Sequence, residues 1–214
     1  MTSKYYTAAI IGGGPAGCQC ALWLKMMGMH PVIIESSNHL GGLQLLSPYQ
    51  NQWIAGLMDV SGREFAARIQ AHLQSKDVPV LFNSEVISCK QSAEGFTLIT
   101  AAAPISARFV VIATGSVQRY QSGKGAANQA EHDAAFANQV IEPAEGWQSN
   151  LPKAFDGLKD QLLNDDGFIQ TNAACETPIP GIYAIGEAAN RMHPCVVTSM
   201  ADGVVAAKSI QASS

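Results

Sequence analysis

The chain has 214 residues, of which 47% are hydrophobic and 14% charged, with a formal net charge of −4. This composition provides for a sizeable buried core and argues against wholesale disorder. It contains no Lys/Arg block to attract a nucleic acid, and Gly, Lys or Gln breaks its apolar runs well short of the roughly 20 residues a membrane-spanning helix needs.

Residues 6–11 read as a buried strand, Gly12 to Gly17 as a tight turn, and 16–28 as a helix closed by Gly28. The β-branched cluster at 30–35 predicts a second strand, so the opening is a βαβ unit of about 30 residues. With the first strand starting so early, the sequence predicts no targeting leader and a cytoplasmic protein. A polar and aromatic loop covers 38–56. An amphipathic helix over 61–75 follows, with Ser61 as N-cap and Phe65, Ile69 and Leu73 at helical spacing. Strands are predicted at 78–82, 85–90, 96–100 and 108–114. From 116 to about 148 Gln, Ala, Asn and Gly dominate, which predicts a linker with one short helix near 132–140. Ordered structure resumes over 153–163. Strands follow at 168–171 and 181–185, and a last helix at 196–211. No internal repeat is present. The fold class predicted is α/β: a Rossmann-like fold of three layers, with a parallel central sheet and a small antiparallel sheet.

Gly12, Gly14 and Gly17 satisfy G-x-G-x-x-G, and the small Ala21 extends the pattern. The first glycine permits the turn, the second lets backbone approach a pyrophosphate, and the third lets helix pack on strand. The helix N-terminus adds unpaired N–H groups and a positive dipole end for the phosphates. Glu35, at the end of the second strand, is placed to accept ribose hydroxyls, and it disfavours a 2′-phosphate. This turn alone identifies a dinucleotide and does not separate FAD from NAD.

The C-terminal part does separate them. Gly181-Ile182-Tyr183-Ala184-Ile185-Gly186-Glu187 resembles the second FAD motif of the pyridine nucleotide–disulfide oxidoreductases, with Glu187 where that motif has Asp. Within that family the chain resembles the thioredoxin reductase branch. The matching segments are Gly41-Gly42-Leu43-Gln44, Asn51-Gln52-Trp53-Ile54-Ala55-Gly56, Ala113-Thr114-Gly115 and the closing run from Val196 to Ala207. The resemblance implies FAD as cofactor. It implies contacts from Gly12, Gly14, Pro15, Ala16, Gly17, Glu35, Ser36, Gly42, Leu43, Gln44, Asn51, Gln52, Val86, Ala113, Thr114, Gly115, Gly186, Glu187, Pro194, Cys195 and Val196. Asn51 would lie against the flavin ring, Glu187 would accept from the ribityl chain, and the N-terminus of the last helix would lie under the flavin O2 edge. A homodimer is implied as well.

The departures from that branch carry as much information. Between Ala113-Thr114-Gly115 and the resumption near 151 there is room for a linker (116–150) but not for a second βαβ domain. Gly123-Lys124-Gly125 follows no apolar strand and is not a second glycine turn. The expectation is one discontinuous FAD-binding domain, 1–115 with 151–214, lacking the branch's NADPH domain and its C-x-x-C. Five cysteines, an odd number without C-x-x-C or zinc-type spacing, predict neither a disulfide framework nor a metal. Cys18 and Cys20 diverge by about 200° on a helix, too far to pair, and read as packing residues. Cys89 reads as structural and Cys175 as incidental. Two readings stand for Cys195, which replaces a Gln of the branch at a helix N-terminus: a reactive thiolate, or a small residue beneath the ring. His193 is its candidate proton donor, or else an exposed or flavin-packing residue, and Pro194 replaces an Arg. The function expected is a flavin-dependent oxidoreductase that takes electrons from a protein partner or a small donor. The alternatives are a non-catalytic FAD-binding redox sensor and one subunit of a split reductase.

Overall fold

The computed structural model describes residues 5–47, 49–119, 146–190 and 193–214. Its seven-stranded sheet is built outward from the strand that feeds the glycine turn. That strand, β1 (Tyr5–Ile11), pairs in parallel with β2 (Pro31–Ile34) on one side, and β3 (Val80–Leu81) lies beyond β2. The hairpin strands β4 (Val86–Ser92) and β5 (Gly95–Thr100) extend the sheet antiparallel from β6 (Pro104–Ile112), which is the other neighbour of β1. One edge of β6 serves two partners: its first half pairs with β5, and Val110–Ile112 pair in parallel with β9 (Ile182–Ala184). A separate ribbon joins β7 (Ser116–Arg119) to β8 (Gly146–Ser149).

Apolar residues crowd the central strands because both faces of the sheet are covered, as a parallel sheet requires. Ala8, Ile10, Ile33 and Val111 pack under the helical layer. That layer is α1 (Pro15–Met26), α2 (Gly62–Ser75) and α4 (Val196–Ala212). On the opposite face Ile11, Ile34 and Ile112 meet Phe155 and Leu162, which come from a 3-10 turn at Lys153–Leu158 and the single-turn α3 (Lys159–Leu162). α1 and α4 lie close together because α4 carries Gly203 at the contact. A Cβ there would stand 2.5 Å from the Ala16 carbonyl oxygen and 2.9 Å from the Cys20 nitrogen.

Most elements fall where the sequence places them, including the Ser61 cap. Its hydroxyl accepts from Glu64 N–H at 3.2 Å, while Glu64 Oε2 accepts from Ser61 N–H at 2.9 Å, completing a capping box. Three expectations need correction. β6 begins at Pro104, not 108, because Pro104 to Ala107 form the ladder to β5. Residues 168–171 make only an isolated bridge, Leu163 to Ile169. Their donors are committed elsewhere: Phe168 N–H to the Asn164 side chain, Ile169 N–H to Ala188 and Gln170 N–H to Leu162. The described ends of the expected linker are strands β7 and β8. The short helix expected near 132–140 lies outside the described residues. Among the described residues no helix is long and apolar enough to cross a membrane.

Candidate functional site

The turn after β1 is shaped by what surrounds it. Gly12 has φ +108°, a conformation that side chains resist, and a Cβ on it would sit 2.5 Å from the Ala113 carbonyl oxygen. A Cβ on Gly17 would collide with the Gly12 carbonyl, so α1 stays close to the turn. Gly14 is the opposite case: it is the N-cap residue of α1, and no protein atom lies within 4 Å of the Cβ position there. No side chain caps the helix, Pro15 opens it, and its first turn has no acidic residue. The amides and the positive end of the α1 dipole therefore face open space above Gly14, where an anion fits.

Other segments close on this point. A Cβ on Gly42 would stand 3.2 Å from Gly14 Cα, which brings the 3-10 turn Gly42–Leu45 over the glycine turn. Glu35, half-buried at the end of β2, accepts from Gly13 N–H (2.7 Å) and Ser37 N–H (2.8 Å), and Ser36 Oγ lies 3.3 Å from Oε1. The carboxylate is thus held against the turn by backbone donors, and its remaining lone pairs stay open to hydroxyls. The chain leading to the buried Val86 passes the same place, with Ser84 N–H donating to the Glu35 carbonyl at 2.9 Å. Ala113-Thr114-Gly115 follow β6, whose neighbour β1 ends in the glycine turn. Gly186, at φ +64°, comes from the far end of the sequence, and its Cβ would be 2.9 Å from Ala16 Cβ. Its neighbour Glu187 receives the Ser116 hydroxyl at 2.9 Å. Of the predicted residues, Asn51 is turned toward Val60, whose carbonyl accepts from its side chain at 3.3 Å, and Gln52 is exposed.

At the N-terminus of α4, His193, Pro194 and Cys195 are exposed, and His193 has φ +57°. Cys195 is the N-cap. The Thr198 hydroxyl lies 3.4 Å from its sulfur, and the Thr198 amide donates to the side chain; together these draw the thiol pKa below its ordinary value. The same Thr198 hydroxyl lies 3.0 Å from each of the His193 and Cys195 carbonyls. The other cysteines are unsuited to redox work. Burial pushes the Cys18 and Cys20 thiols far up, and raises Cys89 to about 11. Cys18 donates to the Gly13 carbonyl at 3.2 Å. Cys175, expected to be incidental, is instead a core residue with no exposure and φ +64°.

The sequence of this chain matches the model of the pyridine nucleotide-disulphide oxidoreductase family over residues 6–154. The chain belongs to this family. Its members are FAD-binding flavoproteins, and the helical layer, parallel sheet and glycine turn described above are the family's nucleotide-binding architecture. The ferredoxin–NADP reductase of Leuconostoc citreum is 33% identical over 119 residues, 54% of this chain and 35% of that protein. The thioredoxin reductase of Ureaplasma parvum is 28% identical over 120 residues, 56% of this chain and 38% of that protein. The chain therefore spans little more than a third of the length of these curated relatives. Among solved structures, T. acidophilum thioredoxin reductase has the same fold, with a TM-score of 0.79 at 16% identity; the superposition covers 98% of each chain.

Three residues of the site were not singled out from the sequence. Asp202 on α4 accepts from Gly186 N–H at 3.2 Å, tying the last helix to the second glycine motif. Ser116 holds Glu187, and Ser149 stands opposite Ser116 in the ribbon. Asp202 lies inside the matched closing run and was legible there as the one acidic residue of that helix. The two serines fall in a stretch without apolar pattern and give no such signal.

Proposed function

We propose that this chain binds FAD and acts as a flavin-dependent oxidoreductase unit that takes its electrons from a protein partner or a small donor. The observation that carries the reading is the convergence on the α1 N-terminus of segments distant in sequence: Gly42 over Gly14, Ala113 against Gly12 and Gly186 against Ala16. Each contact is closed to a side chain, whereas the space above Gly14 is open. A pyrophosphate is the group such a cradle suits.

The polar groups left without partners fit the same cofactor. Among the described residues the unpaired buried side-chain atoms are Gln44 Oε1, Thr114 Oγ1 and Ser149 Oγ. Buried polar atoms are rarely left unmatched, so three of them on segments flanking one cradle favour a ligand rich in donors and acceptors. When bound, FAD supplies the one- and two-electron chemistry that no side chain here provides. The protein's part is to place it. The α1 amides take phosphate charge, Glu35 takes ribose hydroxyls, and Gln44 and Thr114 take polar edges. The α4 N-terminus lays a positive dipole end and the Cys195 thiol beside the site.

The donor reading rests on the interval from 116 to 150, which holds no strand–glycine turn–helix pattern for a nicotinamide nucleotide. The names of the relatives suggest the candidates: a reduced ferredoxin, NADPH or a dithiol. The test is the absorbance spectrum of the purified protein, with and without added FAD, followed by anaerobic titration with NADH, NADPH, dithiothreitol and reduced ferredoxin. A yellow protein bleached by ferredoxin or dithiol is the expected result. A protein that stays colourless in excess FAD removes the cofactor reading, and a yellow protein that none of these donors bleaches removes the donor reading. The homodimer implied by the resemblance and a cytoplasmic setting belong to the same proposal, and sedimentation of the FAD-loaded protein checks the first.

A further inference from the structure

Resting on the FAD reading, we propose that Ser149 is a cofactor-binding residue that hydrogen-bonds the polyhydroxyl ribityl chain of the flavin, working beside Glu187 and Ser116. Ser116 and Ser149 are directly paired across the β7–β8 ladder. Residues so paired project from the same face, with Cβ atoms about 4.5–5.5 Å apart. At this end of the ribbon that face is the inner one: Ser116 is 9% and Ser149 7% exposed, while Gln148, on the opposite face, is on the surface. The direction is fixed by Ser116, whose hydroxyl reaches Glu187 Oε2 at 2.9 Å. Ser149 therefore points toward the second FAD motif as well. Its backbone is anchored, with its N–H on the Gly167 carbonyl at 3.0 Å and the next N–H, of Asn150, on the Gly115 carbonyl at 3.0 Å. Its hydroxyl, in contrast, is buried and unpaired.

A buried hydroxyl without a partner is a cost to the free protein that a ligand can remove. The chemistry here selects a polyol. A serine hydroxyl donates and accepts at once, and Glu187 only accepts, so together they match a chain of hydroxyls that must do both. The arrangement also explains how Glu187 serves where the related motif has the shorter Asp. Ser116 fixes the longer side chain by one oxygen and leaves Oε1 free of described partners for the ligand.

The experiment measures FAD and ADP affinities and apo-protein melting for the wild type, Ser149→Ala and Ser116→Ala. ADP contains the phosphate and ribose groups but no ribityl chain. Loss of one hydrogen bond is expected to weaken FAD binding by Ser149→Ala roughly three- to tenfold, with ADP affinity unchanged and apo melting temperature equal or higher. Ser116→Ala is expected to weaken FAD while sparing ADP. Unchanged FAD affinity in Ser149→Ala overturns the inference. So does an equal loss of FAD and ADP, or a lower apo melting temperature, because each marks Ser149 as merely structural. Failure of the wild type to bind FAD at all is a separate result, which removes the cofactor reading beneath it.

Discussion

At Gly14, open space distinguishes a cofactor contact from a folding requirement. Its backbone, φ −70° and ψ 176°, suits any residue, and an added Cβ meets no protein atom within 4 Å. Gly14→Ala should therefore lower the apo melting temperature by at most about 2–4 °C, the cost of a poorer N-cap, yet weaken FAD about tenfold or more by filling the pyrophosphate cradle. Fluorescence titration alongside thermal melting separates the two effects. Equal losses in both would assign Gly14 to the fold. Cys195 offers a second residue-scale test. Its thiol is held below the ordinary range chiefly by the Thr198 hydroxyl and amide. A lowered pKa means that thiolate is present at a pH where free cysteine is still protonated. The rate of iodoacetamide labelling should therefore rise at lower pH than for a free thiol, and Thr198→Val should move the profile upward. A profile unmoved by that substitution removes the hydroxyl as the cause.

Between elements, the contact that matters is α1 against α4, because α4 carries both Cys195 and the Asp202 that holds Gly186 N–H. Gly203 makes the contact, so Gly203→Val should push the helices apart. Overpacking of this kind costs about 1–3 kcal/mol. It should also weaken FAD, since Gly186 and Ala16 lie at the same junction; melting and FAD titration of one variant read both. Much at this scale was legible. The βαβ opening, the Ser61 cap and the last helix follow from strong periodicity and cap chemistry. Residues 168–171 misled because Phe168 and Ile169 are apolar for burial rather than for pairing, and their amides answer to a side chain and to loop carbonyls. Cys175 misled because a loop can pass through the core when its backbone is paired: its N–H donates to Asn172, and its carbonyl accepts from Ala184. The candidate site was legible where glycines mark close approach. It was not legible where a partner far in sequence gives a serine its meaning, as Ser116 has with Glu187.

For the whole molecule, the question is whether one nucleotide-binding domain is assembled from two chain segments with 120–145 between them. The ribbon makes this testable, because Arg119 and Gly146 are paired at its end. A two- to five-residue turn closes such a hairpin, so residues 120–145 can be replaced by four turn residues with no change demanded of β7 or β8. Loop closure costs about 0.6 kcal/mol for each doubling of length. If the interval holds no part of the cofactor site, the shortened chain should be more stable by roughly 1–2 kcal/mol, remain yellow and keep its FAD affinity within about twofold. FAD binding also raises the melting temperature by mass action, so the gain should persist in the loaded protein. Reduction by the donor is the informative readout. If 120–145 serves only as a connection, the bleaching rate is kept. If it receives the donor, that rate falls while spectrum and affinity stay, and the interval becomes the docking element of a domain otherwise complete. A colourless variant would give the interval a share in the cofactor site itself and would refute the two-segment description.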